Sequence, residues 1–138
     1  MHKLDRRSVL VLGAVAAALL AAASKAAASE RYGPDEGTEL LPGVRQVDLS
    51  EQEARIPGYA TVSMRDLVIE PGAEIPSSPM ENDMVCHMLE GEVVVLQDGV
   101  EFTAGEGDVW TCAVGTEEGG RNATDRVAVM RVTDLHSA

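Results

Sequence analysis

Between Met80 and Asn122 the chain runs twice through short stretches of alternating apolar residues, ENDMVCHMLEGEVVVLQDGVEF and AGEGDVWTCAVGTEEGGRN, broken by Gly and Asp at turn positions. Alternation of this kind sends successive side chains to opposite faces of a strand, so the stretch reads as antiparallel hairpins and the chain as all-β. Gln97-Asp98-Gly99 is a tight turn with a glycine free to take positive φ; Glu92 to Leu96 leads into it and Val100 to Thr103 returns. Gly105 to Gly107 turn the chain into Val109 to Ala113. Gly119 to Asn122 form another turn, before a closing strand from Val127 to Leu135.

Upstream the pattern is weaker. Arg45 to Leu49 alternates enough for a short strand, and Glu51 to Arg55 fits one helical turn capped by Ser50 and stopped before Pro57. Tyr59 to Glu70 is a long strand with neither face strictly apolar. Pro71 to Pro79 carries three prolines and is expected as a bend, unsuited to the middle of a sheet. Residues 29–43 are acidic, rich in Gly and Pro and without a period, and are expected to form a flexible arm.

Residues 1–28 have the layout of an export signal. Lys3, Arg6 and Arg7 precede an alanine-rich apolar run that ends near Ala26, Ala27 and Ala28, and the run is too short for a stable membrane span. The arginine pair followed by Ser8, Val9 and Leu10 resembles a twin-arginine signal, with an ordinary secretory signal as the alternative. Either implies a periplasmic or extracellular protein with no membrane attachment once the signal is removed. Cleavage after Ala28 leaves 110 residues, enough for one small domain. Four of the 11 basic residues and one of the 23 acidic ones leave with it, so 7 arginines face 22 acidic residues, a net charge of −15. Such a surface repels nucleic acid and anionic lipid, and leaves a cation, a metal ion or a neutral small molecule as partner.

In MVCHMLEG (Met84 to Gly91) and GDVWTCAVGTEEGGRN (Gly107 to Asn122) the sequence resembles the two conserved motifs of the cupin superfamily, with Gly91, Gly107, Gly115 and Asn122 in register. The resemblance implies a cupin-like double-stranded β-helix, a jelly-roll barrel, over residues 44–138, assembled as a homodimer. It does not extend to the metal ligands. Ser77 and Pro79, or Ser78 and Met80, stand at the paired histidines of the first motif, Met84 at its glutamate, and Glu118 at the histidine of the second. The family's three-histidine, one-glutamate site is therefore not carried over, and no cofactor is implied.

With Met84 at an inward-facing position of the family, Met80, Asn82, Met84, Cys86 and Met88 should line the barrel, and His87 should face away. Three functions follow. A barrel whose metal site has become sulfur-rich packing binds nothing, or a small molecule, and is non-catalytic; Met84, Cys86, Met88, Glu118, Arg121 and Asn122 are the ligand-binding candidates. Alternatively Met80, Met84, Cys86, Met88 and Cys112 are donors for a soft metal such as copper. In the third, Glu118 carries acid–base catalysis, or holds a hard metal with Asn82 or Glu117. Cys86 and Cys112 either form a disulfide or remain free thiols, the latter if Val109 and Thr111 are the inward pair. Trp110 is a ligand platform, an interface anchor or core.

Overall fold

Ten strands make up the regular structure of residues 29–138, the part of the chain that the computed structural model describes. They are β1 (Thr38–Leu41), β2 (Val44–Glu53), β3 (Tyr59–Ile69), β4 (Glu74–Pro79), β5 (Asp83–Glu90), β6 (Glu92–Gln97), β7 (Val100–Gly105), β8 (Val109–Cys112), β9 (Glu117–Arg121) and β10 (Ala128–Ser137). A six-stranded sheet has the order β1-β2-β3-β10-β5-β8 and a four-stranded sheet the order β4-β9-β6-β7, and every pairing is antiparallel.

The alternation along β5 decides how the sheets face. Met84, Cys86 and Met88 are buried while Val85 and His87 are half-exposed, and Val93 and Val95 of β6 alternate in the same way. These residues meet Val44, Leu67, Ile69 and Val132 from the larger sheet in one apolar cluster, the jelly-roll core expected from the sequence. Each aliphatic side chain removed from water there contributes about 1.5–3 kcal/mol. The β6–β7 turn forms as expected, with Asp98 at φ 47° and Gly99 at φ 82°.

Three local expectations are corrected. Glu51 to Glu53 do not begin a helical turn: they continue β2, paired with Ser63, Val62 and Thr61 of β3. A single helical turn fixes several dihedrals for one hydrogen bond, whereas the long β3 offers a ready ladder. The register slips between Asp48 and Ser50, which leaves Leu49 exposed. The proline-rich bend is in part a strand, β4, tolerated because it pairs on one side only, with β9, and because the ladder is interrupted between Ile75 and Ser78, where Pro76 sits.

The third correction concerns Gly119 to Asn122, read as a turn. Glu117–Arg121 is a strand lying between β4 and β6. Its glycines serve close approach of neighbouring backbones: a Cβ at Gly119 would stand 2.7 Å from the Ile75 carbonyl oxygen, and one at Gly120 2.7 Å from that of Val94.

Residues 29–43 are tied to the barrel. The Ser29 hydroxyl and the Glu30 amide both donate to the Glu90 carboxylate, at 2.8 and 2.7 Å. Tyr32 donates to Asp66, Arg45 Nη1 donates to the Gly33 and Glu36 carbonyls, and β1 pairs with β2. The export-signal expectation for residues 1–28 lies outside the described residues.

Candidate functional site

Where the two sheets separate, a cavity of about 170 Å³ opens between them. Its walls are Val44, Leu67 and Ile69 from the larger sheet and Ile75, Val93 and Val95 from the smaller, with Met80, Met84, Cys86 and Glu118 among them. Met80, Met84 and Cys86 thus converge as strand parity required, and Glu118 and Arg121 join them from β9. Met88 is fully buried but lies in the packed core and not at the cavity, and Cys112 is buried opposite Met84 without lining it.

Glu118 reaches the cavity because β9 pairs it with Ser78 on one side and Gln97 on the other, placing it two residues from Gly120, which faces Val95. Its Oε1 accepts a hydrogen bond from Trp110 Nε1 at 3.2 Å. Trp110 is itself held edge-on against Phe102, with ring centroids 5.8 Å apart at 80°, so it is a core residue that fixes Glu118. The other carboxylate oxygen of Glu118, Oε2, is buried and has no hydrogen-bond partner.

Two arginines border the same space, and both are engaged. Arg65 donates from Nε to Asp134 at 2.9 Å and from Nη1 to the Gln46 side chain at 3.0 Å, while Asn82 donates to Asp134 at 2.9 Å. Arg65 also borders an outer, polar bowl of about 600 Å³ formed with Gln46, Asp48, Asn82, Asp134 and His136. Arg121, one of the ligand-binding candidates, borders the cavity and pairs with Glu101 at 2.9 Å on the exposed side.

Asn122, another of the ligand-binding candidates, is buried and does not line the cavity. Its amide donates to the Ile69 and Arg126 carbonyls and its oxygen accepts from Thr124 N and Oγ1, so all its capacity is spent on backbone and turn.

The cysteines are both free and both buried. Cys112 faces inward, and Val109 and Thr111 face out, the reverse of the parity that was to explain free thiols. Cys86 lies opposite Trp110 and Cys112 opposite Met84, so the two cysteines are diagonal neighbours, about 7–8 Å apart on such a ladder and beyond easy bridging. Burial, followed by the nearby Glu118 carboxylate, pushes the Cys112 thiol up to about 12, and the same two causes raise Cys86 further. The folded protein should therefore show no thiol reactive toward a disulfide reagent at pH 8, and two after unfolding in guanidinium; fast titration of either thiol in the native state would contradict this placement.

Among the described residues no group of three or more His, Cys, Asp and Glu side chains is placed to hold a metal ion. His87 lies on the outer face opposite the exposed Val109, and His136 is hydrogen-bonded to Ser63 at 2.9 Å. Ser77, Ser78 and Pro79 are exposed, so of the degenerate ligand positions Met80, Met84 and Glu118 reach the cavity. What the sequence left unmarked was Arg65 and the aliphatic wall; the Leu67–Ile69 pair at the end of β3 was the available signal.

Fold and site together define a jelly-roll barrel with an interior cavity. More narrowly, the fold is that of a cupin-like barrel, and residues 69–132 match the family model of the EutQ-like cupin domain. The cupin domain of Schizosaccharomyces pombe Cnp3 is similar in structure, with TM-score 0.60 and 19% identity over 77% of this chain and 73% of that one. An RmlC-like cupin from Shewanella frigidimarina gives 0.59 and 20% over 80% and 94%. A putative ethanolamine utilization protein Q from Salmonella typhimurium gives 0.54 and 17% over 69% and 71%. At these identities the likeness is one of fold. No curated protein matches the chain in sequence.

Proposed function

We propose that this chain is an exported cupin-like barrel that binds a small, largely apolar molecule between its sheets, without a three-histidine, one-glutamate metal site. The observation that carries the reading is the apolar cavity with one buried, unpartnered carboxylate oxygen in its wall. Small-molecule sites combine an apolar lining with a few placed polar groups in this way. An apolar cavity of roughly 150 Å³ is known to hold benzene, so the volume here suits a molecule of one ring. Export rests on the pattern of residues 1–28.

Toluene is the simplest probe. Trp110 is the only tryptophan of the chain and touches Glu118 directly, so its fluorescence should change saturably, with a Kd on the order of 10 µM to 1 mM. Ile75→Trp, which fills the cavity from the edge strand, should abolish binding. A flat titration with the folded protein would remove the proposal.

A soft-metal site is a second reading, supported by Met80, Met84 and Cys86 lining one cavity. The raised Cys86 thiol works against it, since a thiolate must form before it can ligate. Elemental analysis of the purified protein separates the two readings: near one equivalent of copper would favour the metal, and its absence the apolar ligand.

A further inference from the structure

Resting on the binding reading above, we infer that the ligand is a protonated amine, its cationic nitrogen seated on Glu118 Oε2 and its ring-sized apolar body filling the cavity. The charges around the cavity decide this. Arg65 is compensated by Asp134 and Arg121 by Glu101, which leaves Glu118 as the charged side chain of the lining with no ionic partner. Trp110 satisfies Oε1 from one side. Oε2 is removed from water and has no hydrogen-bond partner, the neutral Cys112 thiol beside the carboxylate being at most a weak donor.

A buried carboxylate oxygen without a partner has lost its hydration without replacement, and a ligand that donates to it restores what burial removed. Hydrogen bonds to a charged group are about twice as strong as neutral ones, so an ammonium gains more than a hydroxyl of the same shape. The sulfurs of Met80, Met84 and Cys86 are weak acceptors along the same wall and are compatible with the remaining ammonium hydrogens. An anionic ligand meets the reverse situation. Neither bordering arginine is free to receive it, and its carboxylate would face Glu118. The outer bowl that shares Arg65, with Asp48, Glu51, Glu81 and Asp134 around it, adds further negative charge along the approach.

Four probes of one shape test the inference: benzylamine, benzyl alcohol, toluene and benzoate, titrated by calorimetry and Trp110 fluorescence at pH 7. Benzylamine should bind at least tenfold more tightly than toluene or benzyl alcohol, and benzoate should not bind. In Glu118→Gln, which keeps the oxygen that accepts from Trp110, the preference for benzylamine over toluene, measured in the same folded variant, should fall to within about twofold. If toluene binds and benzylamine gains nothing over it, the amine assignment is wrong and the binding barrel stands. If benzyl alcohol matches benzylamine, the site reads a donor and not a charge, which also overturns the inference. If none of the four binds, both readings fall together.

Discussion

Asp66→Ala is expected to lower the unfolding free energy by about 3–4 kcal/mol, a large fraction of the 5–15 kcal/mol typical of a single domain. Asp66 sits at the centre of β3 with none of its surface exposed. Arg131, opposite it on β10, donates from Nε and Nη2 at 2.8 and 3.0 Å, and the Tyr32 hydroxyl donates at 2.5 Å. Truncation removes the acceptor for all three donors and strands the guanidinium. Because the Arg131 side chain is a third exposed, water reaches it in part, which places the loss toward the lower end of the range for a broken buried pair. Urea unfolding should show a lower midpoint with an unchanged slope. A loss below about 1 kcal/mol would mean that this triad does not organise the sheet.

The same triad predicts a pH signature. Burial, and then the hydrogen bond to Asp66, raise the Tyr32 hydroxyl from 10.0 to about 12. The folded chain therefore keeps this proton at pH values where the unfolded chain has released it. The contribution is complete below pH 10 and is lost as the pH rises toward 12. Tyr32→Phe should flatten the stability curve across that window; an unchanged slope would show that the arm does not hold the tyrosine against Asp66.

Asp66 also marks the limit of what the sequence reveals. Period-two alternation identified the strands, the cupin resemblance implied the barrel and which face of Met84 to Met88 turns inward, and the pattern is clean there because each inward side chain is apolar and each outward one half-exposed. On β3 the rule fails. Asp66 and Val68 are buried on the face turned from the cavity while Leu67 and Ile69 are buried on the other, so both parities are covered and no alternation survives. The polar residue there is kept by partners 34 and 65 positions away in sequence, which no local window contains. Glycine misled for a related reason: at Gly119 and Gly120 it signals backbone crowding inside a sheet, and nothing in a dipeptide distinguishes that from a turn. Glu118 was visible as a residue standing at a family ligand position, but its free oxygen depends on Trp110 taking the other one, a fact of three-dimensional placement.

Asn122→Ala is expected to cost about 3 kcal/mol, and it separates the scaffold from the site. The Asn122 amide bridges the Ile69 carbonyl at the end of β3 to the Arg126 carbonyl before β10, at 3.0 and 2.7 Å. Its oxygen closes the turn by accepting from Thr124 N and Oγ1 at 3.0 and 2.7 Å. Thr124 and Arg126 are near solvent and can exchange their bonds for water, so most of the loss arises at Ile69, which is buried. Thr124→Val removes the Oγ1 bond to Asn122 and those to the Arg126 carbonyl and amide, and should cost about 1–2 kcal/mol. In both variants the affinity for toluene should stay within about twofold of the unaltered protein below the melting transition, because Asn122 does not line the cavity. Loss of toluene binding in a folded Asn122→Ala protein would make the residue a ligand group after all; unchanged affinity with a lowered midpoint would assign it to the frame that holds β3 beside β10.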